Sequence, residues 1–298
     1  MVGIYMNHAL SDAQRRTQLF SGELLVYGAS PASKALAQHA ADMVRAAFHP
    51  LDPETAQYHL EVPRFIEIVG PLKKEFTNGQ RTKDLVRAVL AEYGCDPDDT
   101  WFDVPRLRVV PSDGYLAAGV SYAYKMHRDT WYSSPHAQIN WWMPVMDVVP
   151  RRAMAFLGEY WDRPILNNSA EFDYGEWCAF GRTAAMQQTT VDTRKHPVPM
   201  EEASGASEFR IAGTSGDLLM FSAAHLHATC PNDSGKTRFS MDFRTVSLAD
   251  LTNGSGAPNV DCRSTGSTLG DFLSMKDLSP LPDGVVATST STKELVDA

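Results

Sequence analysis

The first third of the chain has apolar residues at helical spacing. A helix is predicted over 32–48, where Ser30-Pro31 supplies a cap and a proline in the first turn. Its apolar positions fall on one face: Leu36, Ala40, Met43, Val44 and Ala47. A second helix is predicted after Pro63, interrupted at Gly70-Pro71 because proline lacks an amide donor, and a third over 82–93. Residues from 1 to about 97 are therefore expected to be helical.

From about residue 98 the pattern changes to short β-branched and aromatic runs bounded by Pro, Gly or Ser, which indicate strands. The predicted strands cover 107–110, 120–124, 138–143, 153–156, 209–211, 217–221 and 238–246. The segment 157–208 has no long periodic run and is predicted to be an insertion that forms a lid. We expect a mainly β fold with flanking α, an antiparallel sandwich or barrel with the N-terminal helices packed on one sheet.

Composition excludes several classes of protein. The 298 residues are 43% hydrophobic and 21% charged, which is typical of globular proteins. A formal net charge of −9 argues against binding of nucleic acid, which requires a basic surface. No apolar stretch is long enough to span a bilayer, so no membrane association is expected. Four scattered cysteines (Cys95, Cys178, Cys230 and Cys262) indicate free thiols in a reducing cytoplasm.

Two histidine segments carry the candidate chemistry. His127 and Asp129 are two residues apart, so on an extended chain an imidazole and a carboxylate point to the same side. A second segment offers His225 and His227, and the pattern alone does not choose between them. Two histidines and one carboxylate on one face of a metal form the ligand set of non-haem Fe(II) oxygenases. A later arginine, Arg238 or Arg244, could bind a carboxylate in the same pocket.

These motifs, in this order, resemble those of Fe(II)/2-oxoglutarate-dependent dioxygenases of the phytanoyl-CoA dioxygenase-like family. The matching positions are His127-x-Asp129, Gly216-Asp217, and His227-x-Thr229-x-x-Asn232-x-Ser234 followed by Arg238. The resemblance covers residues from about 105 to 247. It implies a double-stranded β-helix of the jelly-roll or cupin-like kind, with a core over about 98–250 in a single oxygenase domain over 1–281. Residues 282–298 are expected to form a mobile tail.

The resemblance also implies roles for individual residues. His127, Asp129 and His227 would hold Fe(II), with His225 as a neighbour. Arg238 would pair with the distal carboxylate of 2-oxoglutarate and Thr229 would add a hydrogen bond. Asn140 and Trp142, which share one face of a predicted strand, are further candidates for contact with the co-substrate. Because Asp129 is retained, the resemblance implies oxygenation with O2 rather than halogenation.

The substrate is less defined by the sequence. Trp131 and Tyr132 follow the first metal motif, and Trp177 lies in the insertion, so these aromatic residues are candidates for substrate contact. No basic cluster for a CoA ester is evident, and a small metabolite or natural-product intermediate is expected instead. Hydroxylation with succinate and CO2 as co-products is the expected outcome. Desaturation, cyclisation, epoxidation, demethylation and a non-catalytic metal-binding β-barrel are the alternatives. The oligomeric state is left open, with a homodimer among the options.

Overall fold

Two β-sheets and a layer of helices make up the fold in the computed structural model, which describes residues 2–181, 184–203 and 208–286. Within these residues, eight strands form a large sheet: β1 (Ile4–Met6), β2 (Leu24–Tyr27), β3 (Thr100–Asp103), β4 (Arg106–Val110), β5 (Ile139–Pro144), β8 (Leu218–Ser222), β10 (Arg238–Ser247) and β11 (Phe272–Ser274). Three strands form a small sheet: β6 (Met154–Phe156), β7 (Phe209–Ile211) and β9 (His227–Thr229).

The helices precede and follow the strand-rich region. The α-helices are α1 (Asp12–Phe20), α2 (Pro31–Phe48), α3 (Val62–Asn78), α4 (Gln80–Glu92), the single turn α5 (Tyr174–Glu176) and α6 (Leu248–Asn253). A π-helical turn follows α5 at Trp177–Gly181. Short 3-10 turns lie at Ala56–Tyr58, Gly119–Ser121, Asp129–Tyr132, Pro150–Arg152, Gly158–Tyr160, Ser169–Glu171, Ala185–Gln187 and Thr268–Asp271. No helix in the described ranges is both long and apolar enough to cross a bilayer.

Strand β10 is central to the large sheet. It pairs antiparallel with β5 along one edge, from Ser240 opposite Pro144 to Thr245 opposite Ile139. Its other edge pairs first with β4 and then with β3. In the small sheet, β6 lies between β7 and β9, and both pairings are antiparallel. The ten-residue β10 therefore joins the two ends of the large sheet.

The two faces of the large sheet are buried against different partners. One face packs on the N-terminal helices through a cluster in which Trp141, Met220 and Phe243 join apolar residues of α2, α3 and α4. The other face meets the small sheet, where Trp142 and Phe221 pack with Met154 and Phe156. Alternate residues of β5 therefore point into different cores, as the two-residue period of a strand requires. The expected packing of the N-terminal helices on one sheet is present.

The structure corrects three predictions about secondary structure. The first third is not wholly helical, because β1 and β2 join the large sheet. Helix α3 continues through Gly70-Pro71, since the exposed Pro71 is flanked by the buried Val69 and Leu72, which hold both halves against the core. The predicted strand at 120–124 is instead a 3-10 turn and a loop, because Gly119 has a φ of +58° and turns the chain.

The C-terminal region is described only in part. Phe272 lies in a core cluster with Trp101 and Val246, so the packed region extends beyond residue 250. Within the predicted tail, Val286 packs against this cluster. Residues 287–298 of the predicted tail lie outside the described residues.

Candidate metal and co-substrate site

His127, Asp129 and His227 converge where the two sheets meet. The Nε2 atom of His127 is 3.3 Å from Oδ1 of Asp129, and the Nε2 atom of His227 is 3.9 Å from the same oxygen. One ligand atom from each residue lies within 4.8 Å of the others, and all three side chains are buried. The sequence therefore identified a set of residues that the structure brings together, with both nitrogens facing one carboxylate oxygen.

The backbone fixes the two histidines relative to each other. His127 and His227 exchange two amide-to-carbonyl hydrogen bonds of 2.9 Å in an isolated antiparallel bridge. Each imidazole donates from Nδ1 to a carbonyl two residues earlier, to Lys125 at 2.7 Å and to His225 at 2.9 Å. These bonds select the tautomer that leaves Nε2 unprotonated and able to bind a metal.

Asp129 is placed by a turn rather than by an extended chain, contrary to the prediction from spacing. It begins the 3-10 turn Asp129–Tyr132, which follows the bridged His127 directly. Its Oδ2 atom accepts hydrogen bonds from Asn140 Nδ2 at 2.8 Å and Gln138 Nε2 at 3.3 Å. The Nε atom of Arg244 is 3.7 Å from Oδ2. One carboxylate oxygen is thus held by the protein, and the other faces the histidines.

The protonation states suit a divalent cation. Burial opposes ionisation of Asp129, but contact with His127 and the charge of Arg244 outweigh it and hold the pKa of that carboxyl below its usual range. Burial, aided by His127, lowers the pKa of His227 to about 3. At neutral pH this pair is a carboxylate and a neutral imidazole, the forms that coordinate metals.

Arg238 lies in the same cavity with a buried, incompletely bonded guanidinium. Its Nη1 atom donates to the carbonyls of Arg152 and Ala153, at 3.2 and 3.3 Å. Its Nε atom is buried without a hydrogen-bond partner, and no carboxylate of the described residues forms an ion pair with it. Burial lowers the pKa of Arg238 to about 10, so the side chain is still a cation at neutral pH. A buried cation without a counter-ion favours an anionic ligand.

The other predicted co-substrate residues line this cavity as well. Thr229 is the last residue of β9 and Trp142 lies on β5. Both residues line the cavity that contains Arg238. The indole Nε1 of Trp142 is buried and has no partner among the described residues. Asn140 also lines the cavity, but its amide donates to Asp129 and its Oδ1 accepts from Gln138 at 2.9 Å. Its side chain is therefore bonded to the candidate metal ligand Asp129 and to Gln138.

The structure separates the three aromatic candidates for substrate contact. Tyr132 and Trp177 line the cavity, and the ring of Tyr132 lies 5.3 Å from that of His127. Trp131 is fully buried outside the cavity lining and donates its indole N–H to Asp261 at 2.7 Å. Trp131 precedes Tyr132 in the 3-10 turn, and its side chain packs in the core beside Leu226. Of the three candidates, Tyr132 and Trp177 therefore line the cavity and Trp131 does not.

The two rival residues that the pattern left open have structural partners. His225 precedes β9, and its ring lies between the carbonyls of Ser222 and Gly22, at 3.2 and 3.0 Å. Arg244 pairs with Asp103 at 2.9 Å and supports Asp129 from behind. Of His225 and His227, it is therefore His227 that has a free polar atom at the cavity. Of Arg238 and Arg244, it is Arg238.

Sequence reasoning missed the charged residues of the cavity that come from outside the motifs. Arg108 of β4 forms a bidentate ion pair with Asp242 of β10, two residues along the strand from Ser240, its partner in the register. Lys73 reaches the cavity from α3. An alternating pattern in β4 and β10 was visible in the sequence, but strand register decides which charges meet, and no local pattern specifies that register. Lys73 lies on α3, where the sequence pattern indicates only an apolar face packed in the core and no functional residue.

Comparison with known proteins gives distant likenesses only. No family model and no curated protein matches the chain. Among solved structures, the non-heme alpha ketoglutarate dependent epimerase SnoN from nogalamycin biosynthesis is 14% identical, with 79% of this chain and 84% of that chain covered and a TM-score of 0.38.

Two further structures are similar to a comparable extent. EvdO2 from Micromonospora carbonacea var. aurantiaca is 9% identical over 80% of this chain and 92% of its own, with a TM-score of 0.46. AviO1 from Streptomyces viridochromogenes Tue57 is 12% identical over 85% of this chain and 100% of its own, with a TM-score of 0.39. SnoN has also been solved with Fe3+ and alpha ketoglutarate, and EvdO2 with 2-oxoglutarate.

Proposed function

We propose that this protein is a non-haem Fe(II)- and 2-oxoglutarate-dependent oxygenase. The observation that carries the proposal is the combination, in one cavity, of a buried His-Asp-His cluster and a buried arginine without a counter-ion. The cluster supplies the ligands of a metal, and the arginine supplies the charge that a dicarboxylic co-substrate requires.

The donor set fits Fe(II). Two neutral imidazoles and one carboxylate form the facial triad, which leaves coordination positions open for a co-substrate and O2. His127 and His227 would offer Nε2 and Asp129 would offer Oδ1, because the second polar atom of each side chain is already bonded to the protein. When bound, iron and 2-oxoglutarate together supply an oxidant for C–H bonds, with succinate and CO2 as co-products.

The residues around Arg238 fit 2-oxoglutarate. We assign the distal carboxylate to the guanidinium of Arg238, with a further hydrogen bond from the hydroxyl of Thr229. The unpartnered indole N–H of Trp142 is a second donor on the same cavity wall. Asn140 acts by holding Asp129 in place. In this arrangement the apolar cluster between the sheets, including Phe156 and Phe221, excludes water from behind the site.

We further propose that the two sheets form a double-stranded β-helix within a single domain over 1–281, in a cytoplasmic protein. Support comes from the inter-sheet core and from the bridge of His127 to His227, which adds a fourth chain segment to the edge of the small sheet. The cavity volume of about 630 Å³ lies in the range of small-molecule sites. A small metabolite or natural-product intermediate is therefore the proposed substrate, and hydroxylation the proposed reaction.

The proposal is tested by turnover in the presence of candidate metabolites. Incubation with Fe(II), 2-oxoglutarate and O2 is expected to produce succinate, and the Asp129→Ala variant is expected to produce none. A product heavier by one oxygen supports hydroxylation, whereas loss of two hydrogens indicates desaturation or cyclisation. Succinate formation that is unchanged in Asp129→Ala would contradict the assignment of the metal site.

A further inference from the structure

Most charges that line the cavity are paired within the protein. Arg108 is bound to Asp242, and Arg244 to Asp103. Arg194 forms an ion pair with Asp192, and its guanidinium also lies over the rings of Tyr122 and Trp177. Among the described lining residues, two cations have no carboxylate within ion-pair distance: Arg238, which the proposed function assigns to 2-oxoglutarate, and Lys73.

Lys73 extends from α3 to the cavity and is held by a single backbone contact. Its Nζ atom donates to the carbonyl oxygen of Val120 at 2.5 Å. An ammonium group has three donors, so this contact leaves two of them without a partner among the residues that the structure describes. Burial lowers the pKa of Lys73 to about 7, and the charges of Arg108 and Arg194 add to this effect while that of Asp242 opposes it. None of the described carboxylates forms an ion pair with Nζ. An anion beside Nζ would compensate the charge of the ammonium group.

Aromatic rings form the wall next to this lysine. Tyr122 and Tyr124 follow Val120 along the chain and contact each other at 5.0 Å between ring centroids. Tyr132 lies 5.9 Å from Tyr124 and 6.4 Å from Trp177. All four residues line the same cavity as Lys73, and the ring of His127 is 5.4 Å from that of Tyr124. Successive rings meet edge to face, with interplanar angles of 84°, 69° and 76°, so they offer both edges and faces for packing against an aromatic or similarly flat apolar body.

We propose that the substrate is a small carboxylic acid with an aromatic or similarly flat body. Its carboxylate binds Lys73, and its body lies against Tyr122, Tyr124, Tyr132 and Trp177, which directs its far end towards His127 and Asp129. This inference rests on the proposed function for the identity of the reacting end. It assigns Lys73 to substrate recognition, a role that none of the sequence motifs contains.

The charge balance favours a carboxylate over a phosphate. Once Arg238 is assigned to 2-oxoglutarate, one cation remains, and it matches a single negative charge. A phosphate ester carries nearly two charges at neutral pH and three acceptor oxygens, and it is usually bound by several donors. Apart from Lys73, the cations described in this part of the cavity are already paired with carboxylates.

The test compares matched ligands on matched variants. Benzoate, cinnamate and 2-naphthoate, their neutral carboxamides, and phenyl phosphate are titrated calorimetrically into the protein loaded anaerobically with Fe(II) and 2-oxoglutarate. We expect wild type to bind at least one carboxylate about tenfold or more tightly than its amide, as a hydrogen bond to a charged group implies. Lys73→Met should abolish this preference and Lys73→Arg should retain it. Lys74→Met removes an exposed neighbouring charge and should match wild type.

Several results would overturn the inference. These are a wild type that prefers no carboxylate, a Lys73→Met variant that keeps the preference, tighter binding of phenyl phosphate than of benzoate, and weaker binding of 2-oxoglutarate in Lys73→Met. The visible band of the iron and 2-oxoglutarate complex is recorded on the same samples. Absence of that band in wild type would contradict the proposed function rather than the role of Lys73. In that case the same titrations on metal-free protein would still measure the preference for carboxylates that is due to Lys73.

Discussion

Each candidate metal ligand is oriented by a hydrogen bond to the atom that faces away from the site. The two imidazoles donate to the carbonyls of Lys125 and His225, and the outer oxygen of Asp129 accepts from Asn140. Such bonds reduce the number of orientations that must be lost when a metal binds. The precision of the site therefore depends on residues that do not contact the metal.

A first prediction concerns Asn140. Replacing it with Leu removes the 2.8 Å hydrogen bond to Asp129 Oδ2 while keeping a side chain of similar size. The affinity for Fe(II) should fall by about 10- to 100-fold, as is typical when the partner of a metal ligand is lost. Anaerobic calorimetric titration of Fe(II) measures this change. Asn78→Leu, at an exposed position of α3, should bind as wild type does, and equal affinities in both variants would show that Asn140 does not position the ligand.

A second prediction concerns Arg238. Arg238→Ala should weaken binding of 2-oxoglutarate to the Fe(II)-loaded protein by at least about 30-fold, because the buried distal carboxylate of 2-oxoglutarate would lose its cationic partner. Arg238→Lys keeps the charge but not the planar pair of donors and should give an intermediate loss. The exposed Arg151 provides the matched control, Arg151→Ala. Affinity that is unchanged in Arg238→Ala would exclude this residue as the carboxylate partner.

At the scale of elements, alternate side chains of β10 point to two different places, the cavity and the hydrophobic core. Arg238, Asp242 and Arg244 line the cavity, whereas Phe239 and Phe243 on the opposite face belong to the core with the N-terminal helices. Because side chains alternate along a strand, changes on the two faces should affect different properties.

A third prediction uses this alternation. Phe243 is fully buried and stacks on Trp141 at 5.5 Å, so Phe243→Ala should reduce the free energy of unfolding by about 3–5 kcal/mol. Urea unfolding monitored by circular dichroism measures the loss. Phe180→Ala, at a side chain that is 75% exposed, should change stability by no more than about 0.5 kcal/mol. If both variants unfold at the wild-type midpoint, the core has been assigned to the wrong face.

Elements with a strong local period could be predicted from the sequence, whereas elements that depend on distant contacts could not. Helix α2 has both a capping box at Ser30 and an apolar face, and it begins and ends as predicted within one residue. By contrast, β9 is only three residues long and exists because β6 pairs with it. The same limit applies to the candidate site: the motifs contain the three candidate ligands that the structure brings together, but only tertiary packing brings Lys73 to the cavity.

At the scale of the whole molecule, burial of histidines should make stability depend on pH. Burial lowers the pKa of His196 to about 4 and that of His227 to about 3. The unfolded chain protonates these groups near pH 6.5, whereas the folded chain does not, so the unfolded state binds more protons below that pH. The contribution of these neutral histidines to the free energy of unfolding is therefore fully present above about pH 6.5 and is lost as the pH falls towards 4.

A fourth prediction follows for the metal-free protein. Its free energy of unfolding should fall between pH 6.5 and 4 by about 1.4 kcal/mol per pH unit for each such histidine. His196→Gln should reduce this slope relative to wild type. Urea midpoints at several pH values measure the slopes, and a slope in His196→Gln identical to that of wild type would contradict the role given to burial.

The central claim is that one cavity binds Fe(II) and 2-oxoglutarate together. Anaerobic titration, followed by visible absorption, tests it most directly. A charge-transfer band should appear only when both are present, saturate at one equivalent of each per chain, and be absent in Asp129→Ala. Folded wild-type protein that gives no band with both compounds present, or a band of equal intensity in Asp129→Ala, would contradict the claim.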